Sequence, residues 1–157
     1  MKFLRCGKIG SEIPAVLDKN GKSRNLSNII KDFDPKNLNF ETIRKLEKIN
    51  FESLPEIENS SRIGPCINQP GKFIGIGLNY SDHAAETGAK PPSEPIVFMK
   101  ATSCLNGPND DITLYKNSKK MDWEVEIGFV IGKEAKMISE KEASNYILGF
   151  CIVFWVL

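Results

Sequence analysis

The sequence predicts an α+β protein that is mostly β, with a small β-rich domain at its N-terminus. Three observations predict it. Short apolar runs bounded by turn residues recur along the chain, as Lys2–Cys6, Pro14–Leu17, Phe73–Gly77 and Pro95–Lys100. Trp123–Ile131 is a long run of alternating strand residues. Helical spacing is confined to short stretches, the clearest being Phe40, Ile43, Leu46 and Ile49 with charges between them.

In chain order, residues 1 to about 30 read as a small β unit. Asp18-Lys19-Asn20-Gly21 is a turn centred on Asn-Gly. Ser27 is placed to cap a short helix through Asp32. Residues 51–71 are rich in Pro, Ser, Asn and Gly and read as a link or as extended chain entering a second unit. Phe73–Gly77 reads as a buried strand, Asp82–Glu86 as helix, and Asn106–Asp111 as a turn. Ser139, with Glu142 three residues later, forms a capping-box pattern for a helix through Ile147. Gly149 then ends that helix, and Phe150–Leu157 begins another buried strand.

The chain has 157 residues, enough for one domain or a domain with a small appendage. Hydrophobic residues make up 41% and charged residues 26%, as in ordinary globular proteins. With 21 basic and 20 acidic residues the net charge is +1, which supplies no electrostatic case for nucleic acid or an anionic membrane. Cys6, Cys66, Cys104 and Cys151 show no C-x-x-C spacing, so they read as buried free thiols of a reducing compartment. No secretory signal is visible, and the apolar run Tyr146–Leu157 is short of the roughly 20 residues a bilayer needs. A cytoplasmic location is expected.

Two phosphate-binding motifs fail. Gly21-Lys22-Ser23 resembles the end of a P-loop, but Val16 stands where its first glycine is required. Gly75-Ile76-Gly77 follows a strand, but Tyr80 stands at the third glycine of a dinucleotide loop.

The candidate chemistry lies elsewhere. Glu124 and Glu126 are two apart on a strand, so both carboxylates share one face, with Val125 and Ile127 expected to pack the other. Converging carboxylates suit an all-oxygen site for Mg²⁺, Mn²⁺ or Ca²⁺. A solvated strand face alternates in the same way. His83, the single histidine, shares a helical face with Glu86. That pairing suits a general base that activates water, or an incidental surface histidine. Lys100 closes an apolar strand, where it reaches an anionic group or snorkels to solvent.

An ordered series of short segments resembles the fumarylacetoacetate hydrolase (FAH) family. They are Gly77-Leu78-Asn79-Tyr80-Ser81-Asp82-His83, Pro92–Pro95, Phe98–Ser103, Gly107–Asp111, Asp122–Glu126, Ile131–Lys133 and Gly149–Cys151. The match spans about residues 71 to 153, and the first 60 residues resemble the small N-terminal domain of bacterial members.

The resemblance implies an FAH-type mixed β-sandwich or roll over residues 71–157, incomplete here, after an N-terminal domain over residues 1–60. It implies a homodimer and a small oxo-acid substrate. Glu124 and Glu126 are implied as metal ligands, His83 and Glu86 as the water-activating dyad, and Lys100 and Tyr80 as substrate contacts. The implied reaction is metal-dependent hydrolysis of a C–C bond in a 2,4-diketo acid, of the acylpyruvate or diketo sugar acid type. Related isomerases, hydratases, decarboxylases and ureidoglycolate lyases are the alternatives.

The match breaks at Phe154-Trp155-Val156-Leu157. Trp155 stands where the family pattern has its third metal carboxylate. Read with the length of family members, the break predicts a C-terminally truncated member, and a non-catalytic fragment becomes a further alternative.

Overall fold

A computed structural model describes residues 1–58 and 61–156. Residues 59–60 of the expected link and Leu157 of the expected last strand lie outside the described residues. The chain divides into two compact units, Met1–Asn68 with Asn106–Leu157, and Gln69–Leu105.

In the first unit, β1 (Lys2–Cys6), β2 (Ile13–Leu17) and β3 (Ser23–Asn25) form an antiparallel sheet in the order β1-β2-β3. The register pairs Phe3 with Val16 and Leu4 with Ala15. Adjacent strand residues point to opposite faces, so β1 and β2 each serve two cores. Val16 packs with Leu26, Ile30, Phe33 and Leu46, bordered by Phe3. Leu4, Cys6 and Ala15 pack on the other side, bordered by Ile57 and Ile63. Burial on both faces explains why β2 is continuously apolar.

The Asn-Gly turn forms as expected. The Asp18 carboxylate accepts from the Asn20 and Lys22 amides at 2.8 and 2.9 Å. The helix expected after Ser27 is replaced by turns. Leu26 O accepts from both Ile29 N and Ile30 N, and the Asn25 side chain accepts from Ser27 N at 2.8 Å. Both Leu26 and Ile30 are buried, so one tight turn delivers them to the core without further helix. Helix α1 (Phe40–Leu46) follows, with the Asn39 side chain accepting from Thr42 N at 2.9 Å as its N-cap. The expected link contains a 3-10 turn, Phe51–Ser53, and two bridges back to the sheet, Arg24 with Glu56 and Cys6 with Ile63.

The rest of the first unit is an antiparallel ribbon of two strands. A 3-10 helix (Glu140–Tyr146) precedes the returning strand, and its Glu142 carboxylate accepts from Ser139 N and Oγ. The helical segment therefore forms where Ser139 and Glu142 placed it, but it is 3-10 in type and stops at Tyr146. The last strand starts at Ile147, ahead of Gly149, which lies inside it.

In the second unit, β4 (Phe73–Gly77) and β5 (Ile96–Lys100) pair antiparallel. The Phe98 ring lies over Gly75, where any Cβ would collide with it. The strand predicted as buried is half open, because Ile74 and Ile76 are exposed at 46% and 39%. Helix α2 (Ser81–Glu86) connects the strands, with Ala84 as its buried residue.

Candidate functional site

The outgoing strand of the ribbon, β6, is Trp123–Ile131, and the returning strand, β7, is Ile147–Val156. Their register sets Glu124 opposite Trp155, Glu126 opposite Val153 and Gly128 opposite Cys151. Directly opposed residues of an antiparallel pair project to the same face. One face of the ribbon thus carries Glu124, Glu126, Cys151, Val153 and Trp155, all half-buried.

The other face carries Val125, Ile127, Phe129, Phe150, Ile152 and Phe154, all exposed and between 51% and 72% accessible. This reverses the expectation that Val125 and Ile127 pack. It also corrects the expectation of a buried last strand. A two-stranded ribbon can turn only one face toward its own chain, and here that face bears the carboxylates.

The carboxylates match a hard divalent cation in kind, since they offer oxygen donors from adjacent positions. They do not match it in number. Trp155 and Val153 occupy the opposing positions, and neither side chain is a metal ligand. Among the described residues no three His, Cys, Asp or Glu side chains gather where they could hold a metal ion. The residues present therefore do not complete a site for the expected Mg²⁺, Mn²⁺ or Ca²⁺.

His83 and Glu86 lie in the second unit on α2, three residues apart on one helical face, and both are exposed. The helix is closed by Thr87, whose Oγ1 donates to His83 O at 3.0 Å and Ala84 O at 3.2 Å. Tyr80 precedes α2 at its N-cap position and is 46% exposed. Lys100 ends β5, and its ammonium sits 5.7 Å from the centre of the Phe98 ring. The predicted residues thus form two groups, the glutamates in the first unit and Tyr80, His83, Glu86 and Lys100 in the second.

A network of ion pairs joins the N-terminal sheet to the Gly107–Asp111 turn. The Arg62 guanidinium binds the Asp110 carboxylate at 2.6 Å and the Glu12 carboxylate at 2.7 Å. Both partners push the arginine's pKa further up. Arg5 is buried and binds Asp32 through Nε at 2.7 Å and Nη2 at 2.9 Å. Asp110, part of the Gly107–Asp111 turn, is tied in this way to the N-terminal sheet. Sequence spacing did not single out this network, because its members lie far apart along the chain.

The cysteines depart from expectation. Only Cys6 is buried, whereas Cys66 and Cys104 are exposed and Cys151 is half-buried.

Comparison with known proteins matches the fumarylacetoacetate (FAA) hydrolase C-terminal family model to residues 72–154. A Burkholderia ambifaria protein named "Putative hydrolase" is 48% identical over 153 residues, which is 98% of this chain and 54% of that protein. The fumarylacetoacetate hydrolase of psychrophilic Exiguobacterium antarcticum superposes with a TM-score of 0.76 at 22% identity, over 99% of this chain and 56% of that one. A probable 2-hydroxyhepta-2,4-diene-1,7-dioate isomerase from Mycobacterium abscessus gives a TM-score of 0.70 at 25% identity, over 99% and 52%. The chain spans about half the length of the curated relatives it matches. It has a mostly β architecture of small sheets with an FAH-like fold, and it belongs to the fumarylacetoacetate hydrolase family.

Proposed function

We propose that this chain carries the N-terminal part of a hydrolase that cleaves a C–C bond in a small 2,4-diketo acid of the acylpyruvate type. One observation carries the proposal. Residues 72–154 match the family model, and within them Glu124 and Glu126 lie half-buried on one strand face. Members of the family are typically metal-dependent and act on small molecules. Among the described residues no helix is long and apolar enough to cross a membrane.

In this reading His83 takes a proton from water and Glu86 orients its imidazole. Lys100 supplies a positive charge for a substrate carboxylate, and Tyr80 supplies a hydroxyl for hydrogen bonding. Glu124 and Glu126 provide two carboxylates of the family's metal site.

Trp155 opposite Glu124 favours a second reading, in which the chain keeps the family scaffold without its chemistry. Calorimetric titration with Mn²⁺ separates the two. The first reading expects saturable binding that Glu126→Ala abolishes, and acylpyruvate cleavage that His83→Ala lowers by about a hundredfold or more. No cleavage and no binding at millimolar Mn²⁺ would leave the scaffold reading. Trp155→Asp places a third carboxylate on the same face and is expected to tighten Mn²⁺ binding at least tenfold in either case.

A further inference from the structure

We propose that β7 is a self-pairing edge, through which two copies of this chain join antiparallel about a two-fold axis to give a four-stranded sheet in the order β6-β7-β7-β6.

The β6–β7 sheet has two strands, so among the described residues each strand is paired on one side only. No backbone hydrogen bond among the described residues joins a further segment to Gly149–Val156. Alternate residues of an antiparallel strand direct their N–H and C=O groups away from the partner strand. Such a row is a ready template for another strand.

The two edges of the ribbon are not equivalent. β7 runs for ten residues without a charge or a proline. The register irregularity between Val130 and Ile131 falls at the start of β7 and leaves Gly149–Val156 regular. Charges, prolines and bulges are what ordinarily blunt an edge, and this stretch has none of them. β6 carries Glu124 and Glu126. Joining two β6 edges would leave one strand spacing, roughly 5 Å, between the glutamate-bearing strands, and like charges across such a pair are destabilising. Joining two β7 edges leaves three spacings, roughly 14 Å, which exceeds the screening length of about 8 Å at physiological ionic strength. Charge therefore selects β7.

The side chains select the register. Opposed residues project to one face, so the faces of the two copies align only when residues of like parity meet. With Ile152 opposite its own copy, Phe150 meets Phe154, Cys151 meets Val153 and Gly149 meets Trp155, each twice across the axis. Phe150, Ile152 and Phe154 are 72%, 67% and 60% exposed, so they are open to cross-strand pairing. A Cβ at Gly149 would meet nothing within 4 Å, so space remains there for a neighbouring side chain. An aromatic residue across from an edge glycine covers the gap that the missing side chain leaves. The surface is thus self-complementary, as a two-fold interface requires. The apolar faces lie side by side and stay outside the pairing, where they drive any association beyond the dimer.

The test follows the full chain by sedimentation equilibrium and by amide hydrogen exchange in a dilution series starting at about 0.1 mM. The expected result is twice the chain mass at the top of the series. The outward amides of Gly149–Val156 should be protected there and lose that protection on dilution, while the outward amides of β6 exchange freely throughout. Ile152→Lys sets like charges opposite each other on the axis and should weaken association at least tenfold. Ile127→Lys adds the same charge to the same face on β6 and should leave the dimer intact. A monomer at the top of the series, or free exchange of the outward β7 amides there, would overturn the proposal. So would a dimer unchanged by Ile152→Lys, or one lost in both variants, which would mark packing of the apolar faces instead. The exchange pattern of the unsubstituted chain decides the matter even if a lysine variant does not fold.

Discussion

The N-terminal sheet and the β6–β7 ribbon are both built from apolar strands, yet they bury them differently. β1 and β2 have a core on each face, and Ala15 and Val16 are fully inaccessible. The ribbon has one half-buried face, while Ile127 and Phe150 on the other are 64% and 72% exposed. The difference is one of partners rather than of strand composition. Turns and α1 return the chain from residue 26 to residue 54 across one face of the sheet, and Ile57 and Ile63 cover the other. An isolated pair of strands is marginal in water unless something packs on it. The stability of this chain should therefore reside in its first 68 residues.

The largest expected effect follows from the buried ion pairs there. Arg5→Met removes the guanidinium from Asp32 among poorly solvated neighbours, while Glu12 keeps its bond to Arg62. It is expected to cost about 3–5 kcal/mol, read as a fall in the urea midpoint. A change below about 1 kcal/mol would mean that the network contributes little and the comparison is wrong.

Acid should act on the same region. Burial raises the Glu12 carboxyl, but its bond with Arg62 and the nearby charges of Arg5 and Arg62 outweigh this and hold it below its usual value. Burial likewise opposes ionisation of Asp18, yet the Lys22 amide, Arg24 and the Asn20 amide hold it down. Arg62 holds Asp110 down. Each folded pKa lies below its unfolded one. The stability these groups supply is thus complete above the unfolded values of about 4 and is lost as pH falls through the folded values. The urea midpoint should be flat from neutral pH to about 5 and fall below about 4. A midpoint that rises on acidification would contradict the assignment.

The smallest effect belongs to the ribbon. Ile127 and Ile152 are opposed on its exposed face. Replacing each with Thr keeps β-branching and should change stability by less than about 0.5 kcal/mol per site. Light scattering should show less self-association, because the apolar patch is interrupted. A loss above about 1.5 kcal/mol per site would show that the face is covered in solution and sharpen the search for what covers it.

Much of the architecture was legible because local rules and tertiary demands agree. The Asn-Gly turn at Asp18–Gly21, the Trp123–Ile131 strand and the Ser139–Glu142 cap each depend on neighbours a few residues apart. The expected helix after Ser27 failed where a distant demand intervened. Leu26 and Ile30 had to enter a core with Val16 and Leu46, and a turn achieved that. At the candidate site, period-two spacing placed Glu124 and Glu126 on one face. It left open which face would be covered, and the covered one bears the carboxylates.

The sequence by itself determined the family, through an ordered set of short segments that survives without any knowledge of packing. Only the tertiary structure decided that Trp155 stands opposite Glu124 and that Arg62 joins Glu12 to Asp110. Those relations arise from strand register and chain return across tens of residues. Local physical chemistry fixes turns, caps and alternation, but it carries no record of which distant segments come together.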